Sequence, residues 1–474
     1  MEQKIILYTP ATGFPDLEIK IAYGLARVGI EAYGTEKVKI LDSGGFYQVS
    51  IEGDIAKIED AFNRFCKRLL SSSYIPFNTP GITSRSAESI TVGDKDYFYL
   101  SPSFCRAPTS ISDNKGSEVI CRHKYKGLQK ISAIIGFSAS TSYHHRRDGL
   151  DVSIQQQRIP RRPTDPKNIC KACGMLALLG TWYATFIFSV AEREVIITPI
   201  PKGQTDGAQL QKIFSLQHQI RKDHIYQEIP QDLIPLVFLS RIPSSADILN
   251  GFELHITVLN RQQAYHVDGL SLIPIEKYLS FLGTSPYNIA SIDTMLKNEA
   301  FGALKELNSL LSHRIPNMLS KFARLYTRET SQNDSRLNLL YPETAKYLLK
   351  EVAMIKNEII NNKGVRSFAK TLGYFVWNKE HQNYSFADGI RNASTQNEVR
   401  KTLEKLEREA KLRYDQEKNT NGYPPHIPHV EDIQELNKIM QDKKENFEQV
   451  KTTLYLLAFS FESHKMIKIE NMEV

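Results

Sequence analysis

Cys170 and Cys173, in the run NICKACGMLALLG, have the two-residue spacing of a thiolate knuckle, and the following Gly174 permits the tight backbone such a turn requires. Two sulfurs so spaced can share one tetrahedral zinc ion, but a closed structural site takes four ligands. Cys105 and Cys121 upstream are the sulfurs that could complete it, with His123 as a further donor. The other reading is a pair of ordinary thiols. Redox chemistry fits less well, because the surrounding residues lack the aromatic and Pro context and the compact βαβ setting of a thioredoxin-like site.

Just upstream, the chemistry is cationic. The window 121–170 holds ten Lys or Arg against three Asp, a net of +7, while the whole chain also nets +7. The rest of the molecule is therefore close to neutral, and the excess is concentrated in CRHKYKGLQK and RRDGLDVSIQQQRIPRRPTDPK. Arg122, Lys124, Lys126, Lys130, Arg146, Arg147, Arg158, Arg161, Arg162 and Lys167 suit phosphate neutralisation, and Gln155, Gln156, Gln157 and Asn168 are amides able to bond phosphates or base edges. Localised charge of this kind, with Tyr125 and Tyr143 interleaved, points to nucleic acid; the plain alternative is a solvated loop that keeps the protein in solution.

Catalytic arrangements do not show in the sequence. There is no phosphate-cradling Gly-x-x-x-x-Gly-Lys loop, no Gly-x-Gly-x-x-Gly after a strand, no Gly-x-Ser-x-Gly elbow and no His-Glu-x-x-His helix. His144 and His145 are adjacent and diverge on any regular element, and His218 and His224 are off one-face helical spacing. A metal nuclease would need converging carboxylates or histidines, and none cluster in sequence. The residues read as those of a binder.

The elements that must hold these groups follow from length and pattern. A chain of 474 residues, 41% hydrophobic and 10% aromatic, can bury large cores and is expected to form about three domains. No stretch is long and apolar enough to span a membrane, and MEQKIILYTP lacks the basic start and apolar run of a secretory signal. Five cysteines make no disulfide framework, so a reducing, cytoplasmic compartment is expected.

The expected fold class is α+β. Residues 1–70 read as a ferredoxin-like β-α-β-β-α unit: KIILYTP as a strand, DLEIKIAYGLARVG as a helix, KVKILDSGGFYQVSIEG as two strands about an Asp-Ser-Gly-Gly turn, then a helix capped by Asp54 with Ile55, Ile58, Ala61, Phe62, Phe65 and Leu69 on one face. Residues 71–284 read as a mixed α/β region carrying the basic loops and the Cys-x-x-Cys, with a helix from Met175 to Val190, strands EVIITPIP, LIPLVFLSRIP and FELHITVLN, and a helix over QLQKIFSLQHQIRKD. Residues 285–474 read as a helical bundle interrupted by KNTNGYPPHIPHV, with ETAKYLLKEVAMIKNEIIN as one helix and Val399, Leu403, Leu406 and Ala410 on one face of another. Lys363, Arg366, Lys370, Arg391, Arg400, Lys401 and Lys405 in this bundle could follow phosphates, but Glu398, Glu404, Glu407 and Glu409 accompany them, so salt-bridged surface or a protein-facing side is equally open.

NICKACGMLALLGTWYATFIF inside a mixed α/β region, a basic excursion before it, and helices containing KGVRSFAKTLGYF and DGIRNASTQNEVRKTLEKLEREA after it together resemble the large, signature subunit of the type I CRISPR interference (Cascade) complex, of the archaeal I-A kind. The resemblance covers most of the chain. It implies a multisubunit complex with backbone and small subunits, binding to guide RNA and target double-stranded DNA, sensing of the protospacer-adjacent motif, and recruitment of a separate helicase-nuclease, with no catalysis and no required cofactor in this subunit. Relatives with two Cys-x-x-Cys knuckles hold zinc; here there is one pair, so structural Zn rests on Cys105 and Cys121 joining it. Other functions remain open to the sequence: a metal-dependent nuclease or polymerase-like enzyme, and a scaffold that does not touch nucleic acid.

Overall fold

The computed structural model describes residues 4–12, 15–71, 100, 102–108, 128–130, 168–190, 193–220, 229–242, 244–260, 266–313, 318–330, 340–378, 383–418 and 424–460. The protein is an α+β chain of two compact units, Met1–Ile229 with Ser244–Glu276, and Pro230–Pro243 with Lys277–Val474.

The first unit opens with β1 (Lys4–Tyr8), α1 (Pro15–Tyr33), β2 (Val38–Asp42), β3 (Tyr47–Glu52) and α2 (Ile55–Ser71). Alternation builds the strands: Val38, Ile40, Tyr47, Val49 and Ile51 point inward and are fully buried, while Lys39, Leu41, Gln48 and Ser50 point the other way. The hairpin closes where Asp42 Oδ1 accepts the Gly44 N–H at 2.9 Å and Gly44 takes φ +80°, a conformation open to glycine. Asp54 Oδ1 accepts the Ala56 N–H at 3.0 Å and starts α2 as its sequence predicts. β1, β3 and β2 pair antiparallel in the ferredoxin-like order.

The unit continues with β4 (Leu128–Lys130), β5 (Asn168–Cys170), α3 (Lys171–Ala184), β6 (Phe186–Val190), β7 (Arg193–Pro201), β8 (Gln204–Asp206) and α4 (Gly207–Ile220). β8 joins the first sheet beside β2, giving the order β1-β3-β2-β8. The helix expected over Met175–Val190 therefore ends early: Thr185 turns extended, and the aromatic and β-branched run after it pairs with β7 as a strand.

α1 is not one-sided. Residues from Asp16 to Ala26 are all buried, because the first sheet covers one flank and α3 crosses the other. Two glycines allow that crossing: a Cβ on Gly24 would lie 2.1 Å from the Leu176 carbonyl oxygen, and one on Gly180 would lie 1.8 Å from that of Lys20.

α5 (Ile234–Ser240) belongs to the second unit and α6 (Ser245–Leu249) to the first. The centre of LIPLVFLSRIP, Ile234–Ser240, is thus a helix and not the expected strand. All seven residues of α5 are buried, which erases any period, and Pro235 occupies a first-turn position where a missing N–H costs nothing. β9 (Phe252–Asn260) and β10 (His266–Pro274) complete a second antiparallel sheet, β10-β9-β7-β6.

The second unit then runs through α7 (Glu276–Thr284, Glu276 itself belonging to the first), α8 (Pro286–Lys297), α9 (Phe301–His313), α10 (Leu319–Thr330), α11 (Pro342–Tyr347), α12 (Asn357–Ile360), α13 (Lys363–Trp377), α14 (Ser385–Asn392), α15 (Gln396–Glu417), α16 (Val430–Asp442) and α17 (Lys444–Ala458). α17 is the hub, with α10, α13, α14 and α16 against it and Val450, Leu454 and Leu457 buried. The single helix expected over ETAKYLLKEVAMIKNEIIN is broken: Leu348–Val352 is a π turn and Met354 stands in the left-handed region at φ +55°. Val399, Leu403, Leu406 and Ala410 are the buried stripe of α15, as their spacing predicts.

Candidate nucleic-acid interface

The basic segment has a folded base. β4 and β5 pair antiparallel, with Lys130 opposite Asn168, Gln129 opposite Ile169 and Leu128 opposite Cys170. The chain leaves this two-stranded ribbon after Lys130 and re-enters it at Asn168, so the Arg- and Gln-rich residues between are spanned by adjacent ends. Of the proposed nucleic-acid contacts, Lys130 and Asn168 are placed, as register partners. Arg122, Lys124, Lys126, Arg146, Arg147, Gln155, Gln156, Gln157, Arg158, Arg161, Arg162 and Lys167 lie outside the described residues.

The ribbon hands straight on to α3. Cys170 is the helix N-cap, its Sγ accepting the Cys173 N–H at 3.4 Å, and both thiols are buried. The pair thus ties the ribbon to the helix that crosses α1. Cys105 is exposed in a short turn beside β1; burial and then Glu59 push its thiol up. Cys121 lies outside the described residues, and among the described residues no three metal-ligating side chains gather. A closed tetrahedral zinc site takes four ligands, of which Cys170 and Cys173 could supply two at most.

The chain matches no family model and no characterised protein. Among the described residues no helix is long and apolar enough to cross a membrane.

The cationic residues of the bundle divide by what they touch. Arg400 Nε donates to Asn437 Oδ1 at 3.0 Å, and Arg391 stands over the Tyr455 ring with Asp388 3.9 Å away, so both are engaged within the unit. Lys363, Lys401 and Lys405 are exposed. Lys370 is half-buried beside His426, in a polar cluster the sequence did not announce. There Ser367 Oγ lies 2.8 Å from His426 Nε2 and donates to Asp432 Oδ2 at 2.7 Å, while Thr371 Oγ1 donates to the His426 carbonyl at 2.9 Å. In an acyl-transfer triad the carboxylate orients the imidazole and the imidazole takes the serine proton. Here the serine proton goes to the carboxylate, and Nε2–H of the neutral imidazole donates to Ser367 Oγ. The arrangement fastens the Pro-rich stretch before α16 onto α13. Burial, and after it Lys370 and His429, lowers the His426 pKa against the opposing pull of Asp432.

A second unannounced cluster lies inside the first unit. Lys20 Nζ bonds Asp16 Oδ2 at 2.6 Å, His255 Nδ1 stands 3.5 Å from Asp16 Oδ1, and Thr198 Oγ1 donates to that same oxygen at 3.3 Å. Burial pushes the Asp16 carboxyl up, but Lys20 and His255 outweigh it and hold the group well below the usual carboxylate range. Glu18 Oε1 accepts from the Thr12 N–H at 2.8 Å and hydroxyl at 3.0 Å, closing the loop before α1 over the helix start. The one available signal was a lysine four residues after an aspartate, at the start of a helix whose next charge is Arg27.

Proposed function

We propose that the protein is the non-catalytic large subunit of a cytoplasmic RNA-guided DNA surveillance complex of the type I CRISPR kind. It binds guide RNA and target duplex, tests the protospacer-adjacent motif, and supports recruitment of a helicase-nuclease by a complex of backbone and small subunits. The observation that carries this reading is the β4–β5 ribbon: it springs a segment bearing Arg146, Arg147, Arg158, Arg161, Arg162 and three consecutive glutamines from one anchored base. Arginines grip phosphate, and amides held against a groove can discriminate a short base pattern while guide pairing supplies the remaining specificity.

The test has two parts. Copurification from cells should yield the protein with a processed guide RNA and further subunits. Replacing Arg158, Arg161 and Arg162 together with Ala should weaken duplex binding and flatten the dependence of log affinity on log salt by about three units, one counterion per lost phosphate contact. An unchanged slope removes those arginines from the interface, and cleavage of labelled DNA or RNA in Mg²⁺ or Mn²⁺ would replace the binder with a nuclease.

A further inference from the structure

The first sheet has a covered face and one that no element among the described residues covers. α1 lies on the covered face, over Val38, Ile40, Val49 and Ile51. On the other face the strand register draws one straight row across all four strands: Tyr8 opposite Gln48, Gln48 opposite Leu41, Leu41 opposite Gln204. Adjacent strands stand about 4.8 Å apart, so the row is roughly 14 Å long. Its chemistry is unlike that of a merely solvated face. Tyr8 is half-exposed and meets the half-exposed Phe46 edge-on at 5.9 Å, Leu41 is 37% exposed in mid-sheet, and the two amides flank that leucine. No residue of the row carries a formal charge, and in the next row the exposed Lys39 stands opposite the exposed Asp206, so that row is close to neutral.

We propose that this row seats a short single-stranded stretch of nucleic acid. Unpaired bases lie on Tyr8, Phe46 and Leu41, and Gln48 and Gln204 bond their edges. The reasons are chemical. A flat apolar and aromatic strip suits the face of a base, side-chain amides supply both donor and acceptor to its edge, and the row length fits two or three bases. A duplex, with its bases stacked inside and phosphates outside, would find little there to bind. The proposal rests on the nucleic-acid reading above but uses none of the basic segment, so the two can fail separately.

The experiment uses the full chain carrying Tyr8→Trp, titrated with short RNA and DNA oligonucleotides of one sequence. Stacking should quench the emission of the new indole, saturating with the binding curve read by anisotropy of a labelled oligonucleotide. The double substitution Tyr8→Ala with Phe46→Ala should lower single-strand affinity roughly tenfold. Its salt slope should stay as it was, since no charge is removed. Tyr8→Phe, which keeps the ring, should bind as the parent does and controls for folding. The arm that binds more tightly names the sugar. No quenching by either strand, equal affinity of the double-alanine variant and parent, or equal losses from Tyr8→Phe and Tyr8→Ala would each overturn the proposal. So would a Leu41→Glu variant that loses a protein partner while still binding oligonucleotides. If quenching fails while the arginine variant still loses duplex affinity, this site alone falls. If quenching persists and the arginine variant is unchanged, the basic segment alone falls.

Discussion

α1 and α15 are of similar length, 19 and 22 residues, and both carry an acid and a lysine four residues apart: Asp16 with Lys20, Glu407 with Lys411. The nitrogen–oxygen distance is 2.6 Å in each pair. In α1 the lysine side chain is wholly inaccessible, whereas that of Lys411 is 57% exposed. Identical spacing therefore makes a desolvated ion pair in one helix and a solvated surface contact in the other. What separates them is the neighbouring backbone. α3 comes within glycine distance of α1, and the far end of α15 turns only Ala410 and its predecessors toward the bundle.

The contrast breaks most completely at the glycines. Gly180→Ala or Gly24→Ala places a methyl group against a carbonyl that belongs to the partner helix and cannot swing away, so either substitution should destabilise the first unit by about 3 kcal/mol or more. Gly389→Ala in α14 is the matched control. Its methyl would meet the Thr402 Cγ2 at 3.1 Å, a side-chain contact that a small rotation relieves, and alanine favours the helix by up to about 1 kcal/mol. Urea unfolding of the full chain should show a large loss for Gly180→Ala and near-parent stability for Gly389→Ala. Equal losses would mean that α1 and α3 do not cross so closely.

The ion pairs come next. Lys20→Met leaves the Asp16 carboxylate buried without its closest cation and should cost roughly 3–5 kcal/mol, whereas Lys411→Met should cost less than about 0.5 kcal/mol. Adding Asp16→Leu to Lys20→Met should recover much of the loss, because an apolar pair of similar volume avoids the desolvation. Acid sharpens the same comparison. Asp16 has its pKa depressed in the folded state, so its stabilising contribution is complete above the unfolded carboxylate value of about 3.9 and is lost as pH falls below it. Unfolding midpoints of the parent and of Asp16→Asn, far apart at neutral pH, should converge below about pH 4. A constant separation would show that Asp16 does not titrate differently in the two states.

How much of this was readable beforehand depended on solvent contact. Where one face is wet, as with Lys39, Leu41, Gln48 and Ser50 between buried neighbours, alternation gave the strands, and the three-four step of Val399, Leu403, Leu406 and Ala410 gave α15. Where both faces are buried the period vanishes: α5 looked like a strand, and α3 with β6 looked like one helix. Asp16 and Lys20 were invisible as a pair because charge on a helix ordinarily marks its solvent side, and only the chain packed over it reverses that meaning. Sequence placed Cys170 and Cys173 as a knuckle but could not show that Cys170 caps a helix, since capping depends on where the strand before it ends. The Tyr8 row was illegible for a related reason: four strands far apart in sequence meet in it, and register is a tertiary property.

The smallest expected effect sits where a titratable group is neither buried like Asp16 nor exposed like Lys411. His426 is half-buried, with Lys370 near its ring and Ser367 Oγ on its Nε2. Its folded pKa lies below the ordinary histidine value of 6.5, so the unfolded chain takes up a proton first. The stabilisation it brings is complete above pH 6.5 and declines as pH falls from there toward its lowered value. Protonation keeps the Nε2–H donor to Ser367, so the bond persists and the cost is a partly desolvated cation beside a lysine. The consequence should be local: the amides of His426, Ile427 and His429, the three in 424–429 that carry an N–H, should exchange faster with mild acidification, while those of α17 should not. His426→Gln, which keeps a donor and cannot titrate, should abolish that pH dependence and leave exchange at neutral pH unchanged. If the acceleration survives the substitution, the Pro-rich stretch is released by another group, and His426 is a spacer on α13.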